Sequence, residues 1–268
     1  MDTVISADGT RIAFERQGNG PPLVLCDGAL CRRSFGPMAK LAALLAPHFT
    51  VLHYDRRGRG DSRDTAPYSV GREVEDLAAL IDALGGSAHV YGASSGAALA
   101  MRAAAAGAGV RRLVMFEPPY VLEEAGFDVE LLDSYRSRID ALLARGQRGA
   151  AVALFMKVVG VPAFGIFAMR LLPNVWSKLK AVAHTLPYDF AQLGDRPGRP
   201  LPRELVSVMS SVRVPTLLGV GGKSPAWMHR AVETVANTIP GAKLRELPGQ
   251  THNAAAEGVA PLIHEFCV

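Results

Sequence analysis

With 268 residues, 49% of them apolar, the chain is long enough for one large core or for a core domain carrying an insertion. Its formal charge is only +4, and its longest arginine cluster, DRRGRGDSR at 55–63, reads as solvated surface charge, without the one-sided stripe and interleaved aromatic residues of a nucleic-acid binder. Cys26, Cys31 and Cys267 form no CxxC and leave an odd count, which argues against a disulfide framework and against a zinc site.

At the N-terminus, MDTVISADG lacks a basic stretch followed by an apolar one, so no secretory signal is expected. TVISADGTRIAFERQG (3–18) predicts a hairpin turning at Asp8-Gly9. Short apolar runs follow at PLVLCDG (22–28), FTVLHYD (49–55), AHVYGAS (88–94) and RRLVMFE (111–117), with two more at VPTLLGVGG (214–222) and AKLRELPG (242–249). Apolar on both faces, runs of this length predict central strands of a mostly parallel sheet. SVGREVEDLAALIDALGG (69–86) opens at a serine and closes at a glycine pair, as a capped helix does. The alternation of strand and helix predicts an α/β fold with helices on both faces of the sheet.

Between about 121 and 205 that alternation gives way to helix upon helix. The expected organisation is a core domain of residues 1–120 and 206–268, with 121–205 as a helical cap over the strands' C-terminal edge, where open α/β sheets bind ligands. The most apolar long run, 151–172, lies in this cap, interrupted by Lys157, Gly160, Pro162 and Gly165 in a way that a lipid-spanning helix tolerates poorly. The expectation is a soluble, cytoplasmic protein with a small-molecule substrate and neither a nucleic-acid nor a membrane partner.

Gly92-Ala93-Ser94-Ser95-Gly96 has the G-x-S-x-G pattern, with a strand before it and the helix AALAMRAAAA after it. A nucleophile on such a sharp strand-to-helix turn needs very small residues two positions to either side, which assigns Ser94. Ser95 has Ala93 and Ala97 at the same offsets, so size alone leaves it open. Three other features accompany the elbow. Asp55-Arg56-Arg57-Gly58-Arg59-Gly60-Asp61-Ser62 follows a strand with the pattern D-x-R-G-x-G-x-S, Gly28 follows another strand, and a histidine in PGQTHN follows the last. Together these resemble the α/β-hydrolase superfamily over most of the core, which implies an α/β-hydrolase fold and a serine nucleophile served by a histidine.

A serine hydroxyl needs an imidazole to take its proton. His53 and His89 lie inside predicted strands, His184 lies in the cap, and His48, His229 and His264 fall on or beside outer helices. His252 alone occupies a loop after the final strand, and it is the expected base. The resemblance implies an aspartate after the penultimate strand, where LLGVGGKSPAW carries Ser224. That neutral hydroxyl cannot stabilise an imidazolium as a carboxylate does, so replacing it is expected to cost little. Glu117, ending the strand after the nucleophile's own, is the expected acid, held by Pro118-Pro119. VGGKS is not a phosphate loop, because Leu217 stands where the first glycine is required. The oxyanion donors are expected to be the N–H of Ser95 and one from Cys26-Asp27-Gly28-Ala29-Leu30, at Gly28 or Ala29.

Asp27-Gly28, Ser94-Ser95-Gly96, Glu117-Pro118-Pro119 and Pro248-Gly249 ahead of the histidine are similar to the zearalenone lactonases. That resemblance implies ring-opening hydrolysis of a resorcylic macrolactone by a Ser-His-Glu triad, with no metal or organic cofactor. It further implies a cap tryptophan on the substrate, matched by Trp176, with Asp27 and Pro119 as further substrate-binding positions. Two rivals remain: a general carboxylesterase on small acyl esters, and a non-catalytic ligand-binding protein, the latter prompted by Ser224.

Overall fold

In the computed structural model, which describes residues 1–120, 129–194 and 201–268, Asp8-Gly9 makes the first chain reversal. Gly9 takes φ of 82° and the Asp8 carboxylate accepts the Thr10 N–H at 3.0 Å, folding β1 (Asp2–Ile5) back onto β2 (Arg11–Gln17). Six further strands follow the apolar runs: β3 (Pro22–Cys26), β4 (Thr50–Tyr54), β5 (Ala88–Ala93), β6 (Val110–Phe116), β7 (Thr216–Gly221) and β8 (Lys243–Leu247). The sheet order is β1-β2-β4-β3-β5-β6-β7-β8, antiparallel at its first two pairings and parallel elsewhere. One strand differs in character from the expectation. At β8 residues 243–246 are exposed and only Leu247 is buried, because β8 is the sheet's edge.

Helices α1 (Met38–Leu45), α2 (Val70–Asp82) and α3 (Ser95–Ala105) fill the first crossovers. Ser69 caps α2, its hydroxyl accepting the Arg72 N–H at 3.3 Å, and Gly85 and Gly86 leave the helix at positive φ. Between β6 and β7 come α4 (Val129–Ala144), α5 (Arg148–Val158), α6 (Ala163–Arg170), α7 (Pro173–Val182) and α8 (Leu186–Leu193), then α9 (Arg203–Ser211). The chain ends with α10 (Ala226–Thr238) before β8 and α11 (Ala256–Cys267) after it.

Apolar side chains collect in three clusters. Residues of α2, α3, α9 and α10 cover one face of the sheet, and those of α1 and α11 cover the other. A third cluster joins α4 to α8 and takes in Leu30 from the loop after β3. The expected domain boundary at 121 lies outside the described residues. The one at 206 falls inside α9, whose Leu205 packs with the sheet cluster. Because β3 lies between β4 and β5, the chain's connections diverge there, opening a crevice at the C-terminal ends of those strands.

Candidate active site

Ser94 joins β5 to α3 with φ 55° and ψ −125°, a conformation that non-glycine residues rarely adopt. Its N–H donates to Phe116 O at 2.9 Å, and its carbonyl accepts the Ala97 N–H at 3.0 Å. The flanking glycines are enforced by backbone. A Cβ at Gly92 would lie 2.5 Å from Gly96 O, and one at Gly96 would lie 2.5 Å from both Cys26 O and Asp27 O. The two serines then part company: Ser94 borders a cavity, while Ser95 is buried and its hydroxyl donates to Asp189 Oδ1 at 2.7 Å.

Ser94, Leu30 and Glu117 are the non-glycine residues at positive φ among the described residues. Glu117, at φ 46°, leaves β6 with its N–H on Gly219 O at 3.1 Å and its side chain fully buried. Its Oε2 lies 2.7 Å from Nδ1 of His252, and its Oε1 accepts the Gly221 N–H at 2.7 Å and the Ser224 hydroxyl at 2.6 Å. Burial opposes ionisation of this carboxyl, but the hydrogen bonds from His252, Ser224 and Gly221 outweigh it and hold the pKa below its ordinary value. Ser224 therefore meets the carboxylate and not the imidazole.

The His252 loop is fastened to the loop after β7, with the Lys223 N–H on Gln250 O at 2.8 Å. The Gln250 side chain accepts the Ala255 N–H at 2.9 Å and so braces the loop's exit into α11. With Nδ1 on the carboxylate, Nε2 is the ring nitrogen left for a reacting hydroxyl. Ser94 and His252 border the same cavity, and no direct hydrogen bond joins them among the described residues. Such bonds commonly tighten only when substrate is present.

Gly28 lies against Ser94: a Cβ there would be 3.1 Å from Ser94 Cβ and 3.7 Å from its Oγ. The Gly28 N–H, however, donates to Asp27 Oδ1 at 2.8 Å. The N–H of Ala29, the alternative for the second oxyanion donor, has, like that of Ser95, no acceptor among the described residues. Asp27 Oδ2 is buried beside Gly36 with no N–H or O–H donor. Burial pushes the Asp27 carboxyl up to about 6 against the pull of the Gly28 N–H, Cys31, Arg59 and Arg56.

The cavity has a volume of about 410 Å³. Asp27, Gly28, Ala29, Ser94 and His252 border its reactive end, and Met38, Leu41, Phe116, Phe155 and Val259 are among its apolar walls. No arginine or lysine lines it among the described residues. Trp176 and Pro119, expected to meet substrate, are not among its lining residues. Trp176 packs in the α4–α8 cluster, beside Gly149 and with the Arg170 guanidinium 5.3 Å over its ring. Pro119 follows Glu117, which takes φ of 46° at the end of β6.

The largest correction concerns the arginines read as surface charge. Arg56, Arg57 and Arg59 are 2%, 0% and 1% exposed. Arg57 is held by Asp76 and Asp8, Arg56 by Glu73 and Asp189, and Arg59 by Asp189, so each charge is paired where water is excluded. A signal was present: Glu73 and Asp76 fall on the same helical face as Leu77 and Leu80, where carboxylates need cationic partners.

Among the described residues there is no cluster of side chains able to hold a metal ion, and no helix long and apolar enough to cross a membrane. A family model described as "Alpha/beta hydrolase family" matches residues 20–262. The crystal structure of an alpha/beta hydrolase from Sphaerobacter thermophilus is 50% identical, with a TM-score of 0.89 and 100% of each chain covered. An enol-lactonase from Burkholderia xenovorans, 20% identical with 99% of each chain covered, reaches a TM-score of 0.65, a likeness of fold alone. The N-formylmaleamate deformylase of Pseudomonas putida is 37% identical over 121 residues, which span 43% of this chain and only 44% of that relative.

Proposed function

The chain belongs to the alpha/beta hydrolase family, and on that premise we propose that it hydrolyses carboxylic esters or lactones through Ser94, His252 and Glu117. His252 takes the Ser94 proton as the hydroxyl oxygen attacks the substrate carbonyl. The resulting oxyanion is met by the N–H groups of Ser95 and Ala29 at the start of α3 and in the loop after β3. His252 then passes its proton to the leaving alkoxide, forming the acyl-enzyme. The same imidazole activates water to release the acid, and for a lactone the product is a single hydroxy acid. Glu117 stabilises the imidazolium at both stages. The observation that carries this reading is the 2.7 Å contact between His252 Nδ1 and a fully buried, thrice hydrogen-bonded Glu117.

The helices between β6 and β7 act in this reading as a cap, contributing Phe155 and Val159 to the cavity wall. The substrate has an apolar body and no net negative charge, since Asp27 brings a carboxyl group to a lining with no arginine or lysine among the described residues. The deformylase relative is named for N-formylmaleamate, whose carboxylate would find no arginine or lysine among the described lining residues. A resorcylic macrolactone such as zearalenone is the favoured substrate, on the combined likeness of the 27–28, 94–96, 117–119 and 248–249 segments. Asp27 would meet one of its hydroxyls, while Trp176 stands outside the cavity lining.

Turnover of zearalenone and of short p-nitrophenyl esters by the wild type and two variants tests the proposal. Ser94→Ala lowers turnover by at least about a thousandfold. Glu117→Gln lowers kcat by about a hundredfold to ten-thousandfold with the fold retained. Full activity in Glu117→Gln overturns the acid assignment. Hydrolysis of p-nitrophenyl esters without ring opening of zearalenone makes the protein a general carboxylesterase, and saturable binding without turnover makes it a binding protein.

A further inference from the structure

The loop after β4 and helix α8 meet in a buried ionic cluster whose contacts converge on the oxyanion side of the cavity. Asp189 of α8, 2% exposed, accepts from Arg56 Nη1 at 2.7 Å and from Arg59 Nη2 at 2.8 Å. Its Oδ1 also accepts the Ser95 hydroxyl at 2.7 Å. The arginines extend the grip to the loop after β3. Arg59 Nη1 donates to Gly28 O at 2.6 Å, and Arg56 Nη1 donates to Asp27 O at 3.3 Å. Thr185, just before α8, accepts from Arg59 Nε at 3.1 Å and is itself fixed by donating to Val182 O at 2.8 Å.

The charges balance. Arg56 turns its other edge to Glu73, with Nη2 to Oε2 at 2.6 Å, so two guanidiniums face two carboxylates without solvent. A closed network of this kind adds little net stability over an apolar core, but it holds its members at fixed spacing. Here its members are the two limbs of the oxyanion site, residue 95 and the 27–31 loop. Both hang from one carboxylate supplied by the segment between β6 and β7.

We propose that Asp189 is a positioning residue for the oxyanion hole, holding Ser95 directly and the 27–31 loop through Arg56 and Arg59 at the spacing a developing oxyanion requires. The proposal rests on the serine-hydrolase reading above. Asp189 does not line the cavity, so its loss leaves the apolar binding wall intact. What it disturbs is the alignment of two N–H donors, which matters in the transition state and not in the ground state.

The test compares wild type, Asp189→Asn, Ser95→Ala and Ser94→Ala by steady-state kinetics on p-nitrophenyl butyrate. It adds inhibition by phenylboronic acid, whose tetrahedral adduct on a serine mimics the oxyanion, and a melting curve for each variant. Asp189→Asn is expected to lower kcat on the order of tenfold to a hundredfold. KM should stay within about threefold, and boronate affinity should fall in step with kcat. Ser95→Ala, which keeps the backbone N–H and buries no new charge, is expected to show the same split at about fivefold. It decides the matter if Asp189→Asn does not fold. Wild-type kcat and boronate affinity in the folded variant, or parallel losses in kcat and substrate binding, overturn the positioning role. An active Ser94→Ala overturns instead the hydrolase reading on which it rests.

Discussion

The hydroxyl of Ser224, 9% exposed, donates to Glu117 Oε1 at 2.6 Å, and this one contact gives position 224 a task that a neutral residue can perform. A buried carboxylate whose donor is removed bears a desolvation cost of about 1–3 kcal/mol. Ser224→Ala is therefore expected to destabilise the fold by that amount and to lower kcat, because the carboxylate supporting the imidazole is less well held. The pH dependence has a definite sign. The Glu117 pKa lies below its ordinary 4.5, so its contribution to stability is present above the unfolded-state value and is lost as pH falls through the folded one. Removing the Ser224 donor raises the folded value towards the unfolded one, so in melting curves between about pH 3 and pH 7 the deficit of Ser224→Ala relative to wild type should be full near pH 7 and shrink as pH falls through the wild-type folded value. A deficit unchanged across that range would falsify this account of the contact.

The elbow and the loop after β3 behave as one unit, because they touch through backbone. A methyl at Gly96 would sit 2.5 Å from the carbonyl oxygens of both Cys26 and Asp27, so α3 cannot approach the loop unless residue 96 is glycine. Gly96→Ala is expected to cost about 2 kcal/mol or more, read as a lower urea midpoint with unchanged slope, and to lower kcat further by separating the two oxyanion limbs. Wild-type stability in that variant would remove the argument. Helix α8 is bound to the same unit, not only through Asp189. Tyr188 stacks on Tyr68 at 3.8 Å between ring centroids, and Gln192 donates to Glu73 at 2.8 Å. By contrast α6 turns Phe164 and Phe167 outward, 77% and 62% exposed.

For the molecule as a whole, the sheet's reversal at β3 determines where a crevice forms, and the side chains at the strand ends determine what it accepts. The Asp27 carboxyl and a mainly apolar wall, without arginine or lysine among the described lining residues, favour neutral esters. A neutral p-nitrophenyl butyrate is expected to exceed the p-nitrophenyl monoester of succinate by at least about tenfold in kcat/KM. Val159→Arg, at a lining position 53% exposed, should narrow that gap, and equal rates for the two esters in wild type would contradict the charge argument.

Much of the architecture was legible locally. Apolar runs gave the strands, Ser69 and Gly85-Gly86 bounded a helix, and G-x-S-x-G announced a turn whose glycines its own backbone demands. These follow from periodicity and local sterics, which act over a few residues. The pairing of His252 with Glu117 spans 135 positions in sequence, and a carboxylate ending the strand beside the nucleophile's was enough to suggest it. The fate of Arg56, Arg57 and Arg59 was not legible in the same way. Their own segment reads as surface, and their partners, Asp8, Glu73, Asp76 and Asp189, stand on a hairpin turn and two separate helices. Nor was it legible that Trp176 packs inward among helices instead of lining the cavity. The sequence by itself determined the strands, the elbow and the residue types available for acyl transfer. Only the tertiary structure decided which charges are buried, which N–H groups are free and what Ser224 holds, because burial and pairing are properties of segments brought together from afar.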